Sequence, residues 1–142
     1  TNQATWTSSD DNVAFLSNAP GSHGLLSTVS LGTATITASI GAVSGSTPHT
    51  VDAAVLVSLN LGSGPLSLNS GSTAQLTAIG TFSDGSTQDL TTTVTWSSAD
   101  PAVVQVSNAS GSEGLVSGIS PGNSSVSALE NGVTATLSVI VN

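Results

Sequence analysis

The chain repeats itself at an offset of 90 residues, and that repeat limits what it can fold into more than any other property. Residues 4–32 read ATWTSSDDNVAFLSNAPGSHGLLSTVSLG, and residues 93–122 return as TVTWSSADPAVVQVSNASGSEGLVSGISPG. Placing Trp6 on Trp96 lets the copies run without a gap to Val51 on Val141, with about 18 of 47 positions identical. Such a period is too long for a solenoid unit and suits a small β-sandwich with its own core. Residues 1–52 then form the C-terminal part of one repeat, and residues 53–142 a complete one.

Short strands punctuated by turns fill both copies. Ala34, Ile36 and Ala38 alternate with Thr33, Thr35 and Thr37, which is period 2 over a whole strand. Residues 73–82 read as one strand with Ala74, Leu76, Ala78, Gly80 and Phe82 on one face, and Asp84-Gly85 marks a hairpin after it. Gly45 and Pro48 weaken the last strand of the first copy relative to residues 133–141, so a bulge or an edge is expected there. Only Asp52 and Ala53 separate that strand from the next, expected over residues 54–61, and so short a linker allows neighbouring repeats few angles. Seven or eight such strands in the complete repeat predict two packed antiparallel sheets, and no segment has a helical period.

Charge excludes several functions. The chain has no Lys or Arg and eight acidic residues, a net charge of −8, so it cannot neutralise phosphates or lie against anionic lipid. Nucleic acid and membrane surfaces are not its partners. Small cations remain as counter-ions. With no cysteine there is neither disulfide nor thiolate metal site. No apolar run is long enough for a spanning helix and none follows a basic stretch, so any export signal or anchor is expected outside this window.

VTWSSADPAVVQVSN, followed by GLVSGISPG and a Val/Thr-alternating strand ending in VIV, resembles the bacterial immunoglobulin-like group 2 family. The likeness covers the second copy over its length and the first from Thr5 to Val51, with departures at Leu31, Gly45, Pro48 and His49. It implies an all-β fold of tandem immunoglobulin-like β-sandwich repeats, the first incomplete at its N-terminal side. It also implies an extracellular or cell-surface setting, in adhesins and virion decorations or beside carbohydrate-active enzymes, and no catalytic residue.

The candidate functional residues have two readings each. Trp6 and Trp96 could stack on sugars, but at matching places in mid-strand they read as core anchors. Asp10, Asp11 and Asp100 follow the Trp strand, and Asp84, Asp89 and Asp52 sit in turns or at the junction; such carboxylates could hold calcium, or serve the turns by bonding their own backbone. Turn chemistry is the favoured reading, and no cofactor is expected. His23 aligns with Glu113 and His49 with Val139, so neither recurs beside an acid or nucleophile. Asn108-Ala-Ser and Asn123-Ser-Ser are sequons by spacing, read as chance in a bacterial chain.

A non-catalytic structural repeat of a long extracellular protein is therefore expected, a stalk, fibre or adhesin spacer whose partners are neighbouring repeats. The alternatives are a module binding a glycan or host receptor, or an accessory domain of an extracellular carbohydrate-active enzyme. Strands of about 10 residues predict repeats roughly 40 Å long stacked end to end. Because the first copy lacks a counterpart of residues 53–90, about 38 residues, the chain is expected to be a window on a longer array rather than a strand-swapped filament.

Overall fold

The computed structural model describes residues 3–142, which form two compact units, the first ending at Ala53 and the second spanning residues 54–142. Every regular element in both is a strand.

Unit 1 holds β1 (Thr5–Ser8), β2 (Ala14–Leu16), β3 (Leu26–Thr28), β4 (Gly32–Ile40) and β5 (Val43–Val51). β1, β4 and β5 form one antiparallel sheet, with Trp6 opposite Ala38, and β2 pairs with β3. The alternation of β4 has its predicted effect over its first half, where Ala34 and Ile36 are buried with Val13, Ala14 and Leu16 while Thr33 and Thr35 face solvent, but Thr37 and Ala38 are both half-buried. β5 carries no bulge. It pairs with β4 in unbroken register from Val43 on Ile40 to Val51 on Gly32, with Pro48 opposite Thr35, and it is the sheet's edge strand. Proline is tolerated where its missing N–H would have faced away from the ladder. The second unit shows that this is so, because Asn142 N–H points outward to Leu68 O at 2.9 Å, and residue 138, the counterpart of Pro48, has the same parity.

Unit 2 holds ten strands rather than seven or eight: β6 (Leu56–Asn60), β7 (Leu66–Leu68), β8 (Thr73–Gln75), β9 (Ile79–Phe82), β10 (Thr87–Asp89), β11 (Thr95–Ser98), β12 (Val104–Val106), β13 (Leu115–Gly118), β14 (Gly122–Glu130) and β15 (Val133–Val141). They form the ladders β10-β9-β6, β12-β13-β8 and β11-β14-β15-β7. Two expectations need correction. The run 73–82 is broken, because β8 pairs with β13 while β9 pairs with β6 and β10. Its side chains keep their alternation, with Leu76, Ala78 and Gly80 buried, but the backbone changes partners between residues 76 and 78. β7 runs parallel to β15, so the sheets are not wholly antiparallel. The junction is also longer than predicted: β6 begins at Leu56, leaving residues 52–55 between β5 and β6.

The ladders of unit 2 meet in one core containing Leu56, Leu76, Ala78, Trp96, Val104, Val116, Val126 and Val139. No polar side chain is buried among the described residues. Gly80 is a packing requirement: a Cβ there would lie 2.6 Å from Leu90 Cδ1 and 2.7 Å from Leu56 Cδ1. Asp84-Gly85 turns β9 into β10 as predicted, with Gly85 N–H donating to Phe82 O at 2.9 Å and Gly85 at φ +82. Asn131 (φ 48) and Gly132 (φ 81) turn β14 into β15, a positive-φ pair of the kind that matches strand twist.

Candidate functional site

The most regular polar contacts of the two units are to the backbone. Twelve residues after each tryptophan stands an asparagine, and its carboxamide bridges the tryptophan's main chain. Asn108 accepts from Trp96 N–H at 2.7 Å and its Nδ2 donates to Trp96 O at 2.9 Å. Asn18 does the same for Trp6, at 2.8 and 2.7 Å. The amide thus imitates a neighbouring strand where β1 or β11 has none. Sequence reasoning noted Asn108 only as a sequon and missed Asn18; the signal was an Asn kept at the same spacing in both copies. Ser17 and Ser22, and Ser107 and Ser112, repeat a second bond beside it, at 2.7 and 2.8 Å.

The candidate acids are dispersed. Asp10 accepts from Asn12 N–H and Asp100 from Ala102 N–H, at 2.9 and 3.0 Å, the self-bonded turn that short acids favour. Asp84 accepts from both the main-chain N–H and the hydroxyl of Ser86, and Asp89 from those of Thr91. The Ser86 hydroxyl, then its N–H, holds the Asp84 carboxyl below the usual 3.8, and the Thr91 hydroxyl, then its N–H, does so for Asp89. Asp11 and Asp52 are exposed. No three acidic or imidazole groups gather among the described residues. Asp89 and Glu113 do line one shallow groove with Gln75 and Thr91, but Glu113 already accepts from Gly111 N–H and Asp89 from Thr91.

His23 Nε2 lies 2.9 Å from Ala4 O, and His49 sits on β5 opposite Ala34, so the two imidazoles serve different elements. Trp96 is 2% exposed, its Nε1 donating to Thr91 O at 3.0 Å. Trp6 packs against its own core but stays half-buried, with no partner for Nε1 among the described residues. The Trp96 ring is thus enclosed, whereas the Trp6 ring keeps part of its surface exposed.

One surface is regular. On the outward side of the β1-β4-β5 sheet stand Thr5 and Thr7, then Thr33, Thr35, Thr37 and Ser39, then Ser44, Ser46, Pro48 and Thr50, in register across three strands, so that hydroxyls fill the face except at Pro48. Most are exposed. Strand spacing places neighbours about 4.8 Å apart across the sheet and about 7 Å along it.

Comparison with known proteins points to a common architecture. Residues 59–141 match the bacterial Ig-like domain (group 2) family. Ice-binding protein 1 of Shewanella frigidimarina (strain NCIMB 400) is 41% identical over 128 residues, 90% of this chain but 14% of that protein. Among solved structures, the S-layer protein rSbsC(31-844) superposes with a TM-score of 0.60 at 21% identity, over 99% of this chain and 20% of that one. SbsC domains 4 and 5 give 0.58 at 21%, over 98% and 70%. The chain thus spans a small part of its full-length relatives.

Proposed function

Because the chain belongs to the bacterial Ig-like domain (group 2) family, we propose that it is a non-catalytic structural repeat of a long extracellular protein, a spacer that holds other parts away from a surface. The observation that supports this most is the duplicated clamp, in which Asn18 and Asn108 hold the tryptophan strands through the same pair of bonds. Side chains kept alike across two units are committed to shape, and the turn aspartates are committed likewise. The mechanism is geometric. Paired strands and an apolar core resist deformation. Replacing this segment in its full-length protein by unrelated β-sandwiches of equal length should preserve the role of the distal parts, whereas deleting it should not. Loss of function on replacement would favour the glycan- or receptor-binding alternative.

The hydroxyl face supports a second reading. An uncharged array of threonine and serine hydroxyls can order water, and one relative is named an ice-binding protein. If this face binds ice, the chain should inhibit ice recrystallisation, and Thr35→Lys should abolish the effect. An inactive chain would leave the face as ordinary solvated sheet.

A further inference from the structure

The turn between β14 and β15 holds the chain's single Asn-Gly pair, Asn131 and Gly132. It closes the longest ladder of unit 2, which runs from Gly122 on Val141 to Glu130 on Val133. An asparagine carboxamide can be attacked by the backbone nitrogen of the next residue, and a following glycine leaves that approach uncrowded because it has no Cβ. Whether such a pair reacts depends on how the two groups are held. Neither the Asn131 carboxamide nor Gly132 N–H has a hydrogen-bond partner among the described residues. Both residues are exposed, and a Cβ built on Gly132 would meet no atom within 4 Å. Nothing packs on the tip.

At the other asparagines one group or the other is occupied. Asn18 and Asn108 are committed to the tryptophan clamps. Asn12 donates to Asp10 at 3.1 Å, and Asn60 accepts from Gly62 N–H at 2.7 Å. Ser70 N–H, which follows Asn69, donates to Asn142 O at 3.0 Å, and Ser124, which follows Asn123, lies inside β14 opposite Val139. The related Asp84-Gly85 pair is held on both sides, since Gly85 N–H donates to Phe82 O and the Asp84 carboxylate accepts from Ser86.

We propose that Asn131 is a self-modifying site, where the chain converts a turn amide into an acid with water as the only co-reactant. Gly132 N gives up its proton to solvent and bonds to Asn131 Cγ; the Cγ–Nδ2 bond breaks, and Nδ2 leaves as ammonia. Water then opens the cyclic imide. Opening at Cγ gives an aspartate, whereas opening at the main-chain carbonyl leaves a β-aspartyl link, with the chain running through Cβ and Cγ and the α-carboxylate free. Either product adds a negative charge beside Glu130. The β-aspartyl link also lengthens the main chain inside a turn that requires positive φ at both positions, so the Glu130–Val133 end of the ladder loosens first. Unit 1 has no such site: Gly41 (φ 59) and Ala42 make the matching turn between Ile40 and Val43, with no amide to lose. The inference is independent of the spacer reading, because the reaction needs only the turn.

The test is peptide mapping by mass spectrometry of the full chain held in warm, mildly alkaline buffer. Asn131 should gain one mass unit about tenfold faster, or more, than the asparagines whose groups are held, the margin that a hydrogen bond to be broken first supplies. Both aspartyl and β-aspartyl forms should appear. In parallel NMR spectra the amide signals of Glu130 and Val133 should change as the chain ages, and Asn131→Gly, which copies the turn of unit 1, should keep them constant. An Asn131 amide that lasts as long as that of Asn123, conversion to aspartate alone as direct hydrolysis would give, or equal signal changes in Asn131→Gly would overturn the proposal.

Discussion

Trp6 and Trp96 occupy the same step of the same ladder, one opposite Ala38 and the other opposite Ala128, each main chain gripped by an asparagine twelve residues on. One ring is half-buried and the other 2% exposed. Local sequence therefore sets strand, register and turn in both units alike, and burial is decided separately by the strands laid over that frame. In unit 2 the cover comes from β6 to β10. The apolar surface removed from water there is the main source of its stability.

The largest expected effect tests that difference directly. Trp96→Ala should cost about 3–5 kcal/mol, as for other buried aromatics, and Trp6→Ala about half as much or less. Denaturant unfolding followed by residue-resolved NMR measures both, and equal losses would break the comparison. Gly80→Val comes next, because the Cβ alone would stand 2.6 Å from Leu90 Cδ1 and 2.7 Å from Leu56 Cδ1, well inside contact distance; overpacking of this kind costs about 1–3 kcal/mol. It should lower the unfolding midpoint of unit 2 and leave that of unit 1 in place.

The clamps sharpen the comparison from the other side, since they are the same in both units. Asn108→Ala and Asn18→Ala should each cost about 1–2 kcal/mol, and Asn108→Asp, which keeps the acceptor and loses the donor, should cost part of that. Unequal losses would mean that cover also sets the strength of the clamp. The smallest effect is expected with acid. The carboxyls of Asp84 and Asp89 are held below 3.8 by hydrogen bonds that only their ionised forms accept fully. Their contribution is complete above the unfolded value and is lost as pH falls through the lower folded one. Asp84→Asn with Asp89→Asn should therefore flatten the pH dependence of unit 2 in that acid range and leave unit 1 unaltered.

What the sequence made legible was local. The Trp strands, the inward alternation of Ala34 and Ile36 and the Asp84-Gly85 hairpin all depend on neighbours within a few residues. The break between β8 and β9 was hidden because Leu76, Ala78 and Gly80 keep their alternation while the backbone changes partner, and partners are remote in sequence. The parallel pairing of β7 on β15 joins Leu66 to Val139 and has no local signature either. Among the candidate site residues, Asp10, Asp84, Asp89 and Asp100 turn on the bond a short acid makes two residues ahead, which composition and spacing can suggest. The asparagine clamp could not be inferred from one copy. Its sign was the recurrence of Asn18 at Asn108, and its meaning required seeing that the first tryptophan strand and the loop after β2 lie side by side.

Pro48 has a further consequence for life in a crowded solution. Among the described residues β5 is an edge strand from Val43 to Val51, and Val43 is 76% exposed on it. An open strand edge invites another sheet to add to it, and proteins commonly guard such edges with lysine or proline. This chain has no lysine to place there. Pro48, with its absent donor facing outward, interrupts the row of outward N–H groups on this edge, the kind of break that discourages one sheet from adding to another.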